Sequence, residues 1–389
     1  MLRVASLLRG ARAPLTTDFS RSVTSGQSLA GRFQGPAKMV TKISDLSPAQ
    51  VAAVLQLAHK MKANPTDYFD ALRNESLLML FEKPSLRTRV SLEVGMTELG
   101  GHAISYMIGD SPLGKKETYG DTGACLSRYV AAITARVSSR EQIEGLTANA
   151  HVPVVNALDD WAHPMRARPT SEPTQHTPLF CALSRARGAL SRQTYRDRTG
   201  KTPRSNPVLA EMLADLQTIE EKFGSLKGIR MAYLGDIRNN VTYDLMRSGS
   251  LMGFTVAIAG PKGAQYEIED GVLQECEALA ASGGGGVEVC DTAAEAVAGA
   301  DVVYTDSWQS YGITQTEERI AQLMPFQVTE AVMAQAKPGA VFMNCLPAMR
   351  GEEQTAAVID GPQSIVFDQA ENRLHAQKAL LYLLITRQL

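Results

Sequence analysis

The sequence predicts an α/β protein built from two doubly wound parallel-sheet domains that are joined by interdomain helices. Short apolar runs alternate with helical patterns in two series, the first within residues 43–165 and the second within residues 211–369. Polar residues follow several of these runs, and open α/β sheets carry their binding groups at the carboxyl ends of the strands. A chain of 389 residues is long enough for two domains of ordinary size.

Four parts are predicted along the chain. Residues 1–38 form a disordered presequence, and residues 43–165 form the first domain, which a C-terminal helix at 370–389 completes. Residues 166–210 form a disordered basic insertion, and residues 211–369 form the second domain. Composition and the loss of core periodicity separate the two disordered parts from the two domains.

The presequence is basic and nearly free of acidic residues. Its one acidic residue is Asp18, and the apolar residues of Met1 to Leu8 fit one face of a helix. This pattern is typical of a mitochondrial presequence and predicts a protein of the mitochondrial matrix; a disordered basic tail is the alternative. The arginines of this segment are Arg3, Arg9, Arg12, Arg21 and Arg32.

The first domain is predicted to begin with a helix whose N-cap is Ser47. A β-α-β unit follows, in which Gly100 and Gly101 end the helix. Another helix is expected at 121–129. The predicted strands are 77–81, 102–106, 130–137 and 152–156, and the helix between the first two strands is 86–99.

The turn between the first of these strands and its helix has the composition of a phosphate-binding site. It reads Phe81-Glu82-Lys83-Pro84-Ser85-Leu86-Arg87-Thr88-Arg89. Such a turn aims free backbone N–H groups and the positive end of the helix dipole at one point. Ser85 and Thr88 add hydroxyl donors, and Arg87 adds a guanidinium that matches phosphate oxygens. The alternative is an ordinary helix start with Ser85 as N-cap and a solvated charged face.

Two more residues of the first domain are candidates because of their position. Arg136 lies near the end of a predicted strand, and His163 follows the next strand, where Pro164 fixes the turn that presents it. The alternatives are a surface arginine that flanks a strand and a histidine with a structural role.

The insertion at 166–210 breaks the α/β pattern. It holds eight Arg and one Lys against two acidic residues, together with five Pro and ten Ser or Thr. Because it lacks core periodicity, it is predicted to be disordered. Recruitment of an anion or a partner is an alternative role, and the composition also fits translated non-coding sequence.

The second domain restarts with a helix at 211–223. Its first strand leads into Gly235-Asp236-Ile237-Arg238-Asn239-Asn240, which lacks the GxGxxG spacing, so a nicotinamide cofactor is disfavoured. Asn239 and Asn240 instead offer amide groups to a polar small molecule. The predicted strands are 229–234, 254–259, 286–290, 301–306 and 340–345.

Three later segments also carry polar groups at predicted strand ends or helix starts. Asp306 opens the segment Asp306-Ser307-Trp308-Gln309-Ser310-Tyr311-Gly312, and Cys345-Leu346-Pro347 follows another strand. Glu371-Asn372-Arg373-Leu374-His375 is predicted to open the terminal helix, from which Arg373 is placed to reach an anion.

Composition narrows the range of partners. The formal net charge is −2 and no basic stripe interleaved with aromatics lies outside the insertion, which gives no argument for nucleic acid. No apolar run approaches the length of a membrane span. The five cysteines form no CxxC pair and no zinc-binding spacing with histidine, so no metal is expected.

Taken in order, these motifs resemble the ornithine carbamoyltransferase family. In that family, S-x-R-T-R at 85–89 and E-N-R-x-H at 371–375 are general to carbamoyltransferases, whereas D-x-W-x-S-x-G at 306–312 and C-L-P at 345–347 indicate ornithine as acceptor. The resemblance covers residues 43–386 apart from the insertion. It implies a carbamoyl phosphate-binding domain, an ornithine-binding domain, and a homotrimer with sites between subunits.

The resemblance also implies a reaction and a role for each matching residue. The carbamoyl group of carbamoyl phosphate would pass to the side-chain amine of L-ornithine, giving L-citrulline and phosphate without a metal or an organic cofactor. The phosphate would be bound by Ser85, Arg87, Thr88, Arg136 and Arg373. Asn240, Asp306 and Ser310 would hold the amino acid end of ornithine, with Cys345 and Leu346 near its side-chain amine. His163 would polarise the carbonyl; His163, Cys345 and Arg136 are the expected catalytic residues, and Leu86 and Tyr311 are further expected substrate contacts.

The chain departs from the family pattern at five places. Arg166 replaces the glutamine of His-Pro-x-Gln, and the Leu-Ala-Asp segment at 213–215 arrives about 45 residues late. Asn344 stands where a histidine is common, Tyr311 where a methionine is usual, and Pro112 where many members have a glutamine. The alternative functions are therefore a carbamoyltransferase for another amine, such as putrescine or an acylated ornithine, and a catalytically silent paralogue.

Overall fold

The computed structural model describes residues 39–82, 85–110, 113, 116–137, 139–157, 209–309 and 316–389. The predicted presequence at 1–38 and the insertion up to residue 208 lie outside these residues, and so does His163. Among the described residues, none of the helices combines the length and the apolar character that a membrane crossing needs.

The first sheet has five parallel strands in the spatial order β1-β5-β4-β2-β3. The chain adds β3 on one side of β2 and then β4 on the other, so the strand order reverses between β2 and β4. The strands are β1 (Met39–Val40), β2 (Ser76–Phe81), β3 (His102–Met107), β4 (Ala132–Arg136) and β5 (Val154–Asn156).

The helices of the first domain form where the sequence supplies caps. Ser47 caps the first helix through a hydrogen bond from the backbone N–H of Gln50, as predicted. Thr118 caps the third helix, which therefore starts two residues before the predicted position. The helices are α1 (Pro48–Ala63), α2 (Leu86–Glu98), α3 (Tyr119–Leu126) and α4 (Arg140–Ala148), with short 3-10 turns at Ile43–Asp45, Pro65–Tyr68 and Ile108–Asp110.

The second sheet repeats this arrangement with the order β10-β9-β6-β7-β8, all parallel. Its strand order reverses between β6 and β9. The strands are β6 (Arg230–Leu234), β7 (Thr255–Ala259), β8 (Gly286–Cys290), β9 (Val302–Tyr304) and β10 (Val341–Met343). The helices are α5 (Leu209–Phe223), α6 (Asn240–Met252), α7 (Asp270–Gly283), α8 (Ala293–Val297), α9 (Glu317–Leu323), α10 (Glu330–Met333), α11 (Ala356–Ile359) and α12 (Val366–Ile385), with a 3-10 turn at Met324–Phe326. The predicted class of two parallel α/β sheets is thus confirmed.

Two long helices join the sheets. Helix α12 packs against α5 and also against α1 and α2 of the first domain. Both helices begin earlier than predicted, because Leu209 and Val366 are buried and extend the apolar faces toward the N-termini. The α5 boundary corrects the predicted insertion, whose last two residues belong to this helix.

Candidate active site

The two points at which strand order reverses hold most of the predicted site residues that the structure describes. In the first sheet, Phe81 of β2 is in register with Arg136 of β4, so the turn after β2 lies beside the end of β4. In the second sheet, β6 leads into the turn at 235–240 and β9 leads into Asp306. Open α/β sheets bind ligands at such reversals, outside the carboxyl ends of the strands.

The start of α2 at residues 85–88, called the cradle below, lacks the capping hydrogen bond of an ordinary helix start. Ser85 occupies the N-cap position of α2, but its side chain makes no capping hydrogen bond. Its hydroxyl oxygen instead accepts a hydrogen bond of 2.9 Å from Nη1 of Arg136. Leu86 is 75% exposed, and its backbone N–H, in the first turn of α2, has no partner within the helix.

Three arginines converge on this cradle from three elements. Arg87 comes from α2, Arg136 from β4 and Arg373 from α12. Nη2 of Arg373 donates a hydrogen bond of 2.5 Å to the Thr88 hydroxyl and forms an ion pair with Glu211. The cradle therefore joins residues that are almost 300 positions apart in the chain.

The arginine cluster has the electrostatics of an anion site. Burial, reinforced by the neighbouring charges of Arg373 and Arg136, lowers the pKa of Arg87. The Nε atoms of Arg87 and Arg373 are buried and have no hydrogen-bond partner among the described residues. Buried donors are normally satisfied, so these N–H groups favour an anionic ligand such as a phosphate group.

The second half of the site is acidic and poorly solvated. Asp306 lies two residues beyond β9 and Cys345 two residues beyond β10, and the thiol of Cys345 lies 3.1 Å from Oδ1 of Asp306. Burial raises the pKa of Asp306, and burial together with Asp306 raises the pKa of Cys345 well above its usual value. Cys345 is therefore a neutral thiol that donates to the carboxylate, and Asp306 is suited to pair with an ammonium group.

The backbone after Cys345 is held in an uncommon shape. Leu346 has a φ of 57°, in the left-handed region that side chains larger than glycine rarely adopt, and a cis peptide bond joins it to Pro347. The side chain of Asn344 accepts a hydrogen bond of 2.8 Å from the Leu346 N–H. Asn344 in turn donates to Gln354 at 3.1 Å. These contacts stabilise the left-handed conformation of Leu346 beside Asp306.

The turn after β6 separates the roles of its two asparagines. Asn239 caps α6 and donates to the hydroxyl of Tyr233, so its amide is used within the protein. Asn240 is half-buried, and its side chain makes no hydrogen bond to any residue in the described ranges. The amide of Asn240 is therefore the one that remains available for a ligand.

Trp308 anchors the segment after Asp306. It is fully buried and packs with Tyr266 and Leu323. Gly235 allows this packing because a Cβ at that position would lie 2.9 Å from Nε1 of Trp308, and its φ of +126° also favours glycine. Ser310 and Tyr311, two predicted substrate contacts, lie outside the described residues.

Several buried polar residues near the site were not predicted from the sequence. Glu211 pairs with Arg373, and Gln369 donates to Asp215 at 2.6 Å. Tyr304 donates to Asp215 at 2.9 Å. Burial raises the pKa of Asp215 to about 7, because desolvation outweighs these hydrogen bonds. Glu211 and Asp215 lie one turn apart on α5, among mostly apolar residues. Two acidic residues at this spacing on an apolar helix were a signal in the sequence for a buried polar pair.

Comparison with known proteins covers both halves of the chain. The carbamoyl phosphate-binding domain of aspartate/ornithine carbamoyltransferases matches residues 38–167, and the Asp/Orn-binding domain of the same family matches residues 227–384. The ornithine carbamoyltransferase of Parafrankia sp. (strain EAN1pec) is 42% identical over 346 residues, which are 88% of this chain and 94% of that protein. This chain belongs to the aspartate/ornithine carbamoyltransferase family.

Two solved carbamoyltransferase structures share the fold of this family member. Ornithine carbamoyltransferase from Pyrococcus furiosus superimposes with a TM-score of 0.74 at 38% identity, over 90% of this chain and 98% of the other. A mitochondrial ornithine carbamoyltransferase from Coccidioides immitis gives a TM-score of 0.72 at 28% identity, over 91% of this chain and 99% of the other. Residues 85–88 and Arg136 therefore lie within the match to the carbamoyl phosphate-binding domain, whereas Asp306 and Cys345 lie within the match to the Asp/Orn-binding domain. Arg373, on α12, also falls within the second match and reaches the cradle from there.

Proposed function

We propose that this protein is an ornithine carbamoyltransferase, which transfers the carbamoyl group of carbamoyl phosphate to the side-chain amine of L-ornithine and releases L-citrulline and phosphate. The observation that carries the proposal is the opposite chemistry of two half-sites. Arg87 and Arg136 of the carbamoyl phosphate-binding domain, joined by Arg373 of α12, form an arginine cluster suited to a phosphate. A desolvated carboxylate suited to an ammonium group lies in the Asp/Orn-binding domain.

The reaction follows from this division of charge. The neutral amine attacks the carbonyl carbon and a C–N bond forms. The nitrogen then gives one proton to an oxygen of the phosphate group, the C=O bond is restored, and the C–O bond to phosphate breaks. Negative charge develops first on the carbonyl oxygen and then on the departing phosphate, where Arg87, Arg136 and Arg373 stabilise it. His163 is proposed to donate to the carbonyl oxygen. No step in this scheme needs a metal or an organic cofactor.

Positioning of ornithine is proposed to come from the second half-site. Asp306 pairs with the α-ammonium group and thereby presents the other amine to the carbonyl carbon. Asn240, Ser310 and Tyr311 are proposed to bind the rest of the amino acid end. Cys345 and Leu346 line the path of the side-chain amine, with Cys345 acting as a neutral donor and not as a nucleophile.

The test is product formation by the full chain with three acceptors in parallel: ornithine, putrescine and N-acetylornithine. The proposal predicts citrulline from ornithine and much slower carbamoylation of the other two, because putrescine lacks the α-carboxylate and N-acetylornithine has no α-ammonium group for Asp306. Faster turnover with either competitor would assign another acceptor. A deletion variant that lacks residues 166–208, assayed beside the full chain, shows whether the insertion affects turnover. If neither protein carbamoylates any of the three acceptors, a catalytically silent paralogue is favoured.

We further propose a homotrimer. Large apolar side chains are exposed on α2 and on the edge strand β3, where a second copy of the chain would cover them. They are Leu86, Val90, Val94, Ile104 and Tyr106. Sedimentation equilibrium should give the mass of three chains, and Val94→Glu should lower it; a monomeric wild-type protein would contradict the proposal.

Localisation to the mitochondrial matrix is proposed from the basic, acid-poor residues 1–38. The similarity to a mitochondrial relative from Coccidioides immitis is consistent with this proposal. Residues 1–40 fused to a fluorescent protein should enter mitochondria, and replacement of the five arginines by glutamine should abolish import. Cytosolic fluorescence of the unaltered fusion would contradict it.

A further inference from the structure

A two-step polar ladder connects the interdomain helices α5 and α12. The first rung is the ion pair between Glu211 of α5 and Arg373 of α12. The second rung, one turn away on each helix, is the hydrogen bond of 2.6 Å from Nε2 of Gln369 to Oδ1 of Asp215. The second rung is almost fully enclosed, since Asp215 and Gln369 are each 2% exposed.

The first rung leads to the half-site for carbamoyl phosphate. The same Nη2 of Arg373 that pairs with Glu211 donates to the hydroxyl of Thr88 in the cradle. Arg373 is thus held between α5 and the first turn of α2. This rung fixes one arginine of the anion site relative to both helices.

The second rung leads to the half-site for ornithine. Nε2 of Gln369 also lies 3.0 Å from the hydroxyl of Tyr304, and Oε1 of Gln369 accepts a hydrogen bond of 3.0 Å from the backbone N–H of Asn344. Tyr304 precedes Asp306 by two residues, and Asn344 directly precedes Cys345. One amide therefore holds the ends of both β9 and β10.

The chemistry of this cluster makes its geometry rigid. Both amide hydrogens of Gln369 have an acceptor, its oxygen has a donor, and Tyr304 donates to the other oxygen of Asp215. A fully satisfied buried network specifies one arrangement, because any displacement leaves a polar group unpaired in a dry interior. Tyr304 also stacks on Tyr233 of β6 with ring centroids 6.1 Å apart, which extends the cluster to the third strand at the site.

We propose that Gln369 is a positioning residue that sets the distance between Asp306 and Cys345 on one side and the arginine cradle on the other. It contacts neither substrate and acts through the ends of β9 and β10. The inference rests on the proposed ornithine carbamoyltransferase function and deepens it. Attack by an amine needs its nitrogen close to the carbonyl carbon, so a displacement of about 1 Å between the half-sites can cost up to about 100-fold in rate.

The test is steady-state kinetics of Gln369→Met in the full chain, with each substrate varied in turn. Methionine preserves the approximate volume and removes all three hydrogen bonds. We expect the KM for ornithine to rise about tenfold and kcat to fall about tenfold or more, while the KM for carbamoyl phosphate stays close to the wild-type value.

Gln377→Met is the matched control. Gln377 is also buried on α12, two turns beyond Gln369, but it accepts its hydrogen bond from Ser91 of α2, in the first domain. This control should leave the KM for ornithine unchanged. If it raises that KM as much as Gln369→Met does, the effect belongs to the helix in general and the inference fails.

A second readout does not depend on catalysis. Alkylation of Cys345 by iodoacetamide, followed by peptide mass spectrometry, should be slow in the wild-type protein because the thiol is neutral and bonded to Asp306. It should accelerate several-fold in Gln369→Met when compared with the exposed Cys125 of the same molecule. If the wild-type protein carbamoylates no acceptor, the proposed function fails and this rate alone decides the inference.

The outcomes are distinct. A selective rise in the KM for ornithine together with faster alkylation of Cys345 supports the inference. Equal losses of kcat/KM for both substrates overturn it, and so do an unchanged KM for ornithine and an unchanged alkylation rate of Cys345. Should Gln369→Met fail to fold, Tyr304→Phe takes its place, because it removes one partner of Gln369 at constant shape and should move the same two readouts by a smaller factor.

Discussion

The two half-sites differ in how they are built. The carbamoyl phosphate half concentrates positive charge, with Arg87, Arg136 and Arg373 around one helix N-terminus. The ornithine half concentrates acidic groups in a dry environment, where burial raises the pKa of Asp306 and Asp215. The carbamoyl phosphate half-site thus attracts an anion through its own positive charges. The ornithine half-site instead holds desolvated carboxyl groups, whose ionised form an ammonium group would stabilise.

The largest effect is expected from a substitution in the carbamoyl phosphate half-site. Arg87→Ala should raise the KM for carbamoyl phosphate and lower kcat/KM by about 100-fold or more, since removing a charged partner from a desolvated ion contact costs about 2–5 kcal/mol. Steady-state kinetics with ornithine at saturation would measure it. Arg89→Ala is the matched control, because Arg89 is exposed on the same helix and pairs with Glu93. Near-normal kinetics of Arg87→Ala would remove the cradle from the mechanism.

The second-largest effect is expected from a substitution in the ornithine half-site. Asp306→Asn removes the charge that pairs with the α-ammonium group, so the KM for ornithine should rise by about 10- to 100-fold. The KM for carbamoyl phosphate should stay near the wild-type value. Asp291→Asn serves as control, because Asp291 forms an exposed ion pair with Lys262 away from the site. A rise in the KM for carbamoyl phosphate instead would show that the halves are not separate.

A smaller effect sharpens the assignment of Cys345. Serine keeps a neutral donor for Asp306 and alanine removes it, so Cys345→Ser should retain more activity than Cys345→Ala, by about tenfold. The kcat/KM values for ornithine of the two variants measure this difference. Equal inactivation of both variants would indicate a nucleophilic thiol and contradict the role of a neutral donor.

The smallest effect concerns stability and pH on the ornithine side. The pKa of Asp215 is raised to about 7, so the folded protein keeps a proton that the unfolded chain releases near pH 4. Stability contributed by this group is therefore present at low pH and is lost as pH rises toward 7, with a slope of roughly 1 kcal/mol per pH unit. Asp215→Asn should remove that slope from the free energy of unfolding, which urea titrations between pH 4.5 and 7.5 can measure.

Glu275 provides a control, because its pKa is shifted in the opposite direction from that of Asp215. Although burial acts against its ionisation, Arg247 and Lys42 lower the pKa of Glu275 to about 2, so its contribution to stability is lost only as pH falls below about 4.5. Glu275→Gln should therefore leave the slope between pH 4.5 and 7.5 unchanged. An unchanged slope in Asp215→Asn would contradict the raised pKa of Asp215.

The parts of the molecule that local patterns specify could be predicted from the sequence. The order of the strands in the chain, the N-cap at Ser47 and the start of α2 at Leu86 follow from apolar runs, caps and turn chemistry within a few residues. Element ends were less accurate. The strand predicted at 301–306 spans Val302–Tyr304, because Asp306 leaves the sheet to reach Cys345.

The parts that depend on long-range packing could not be predicted. Gln369 and Asp215 are separated by 154 positions, and no local pattern links a glutamine on one helix to an aspartate on another. The role of Ser85 was open for the same reason, since its partner Arg136 is 51 positions away. His163, Ser310 and Tyr311 lie outside the described residues and stay predictions.

The most direct test of the division of charge is one kinetic experiment on citrulline formation, in which both substrates are varied for the wild-type protein, Arg87→Ala and Asp306→Asn. We predict that the wild-type protein forms citrulline, that Arg87→Ala raises the KM for carbamoyl phosphate, and that Asp306→Asn raises the KM for ornithine. The account is contradicted if both variants raise the KM for the same substrate, or if the wild-type protein forms no citrulline.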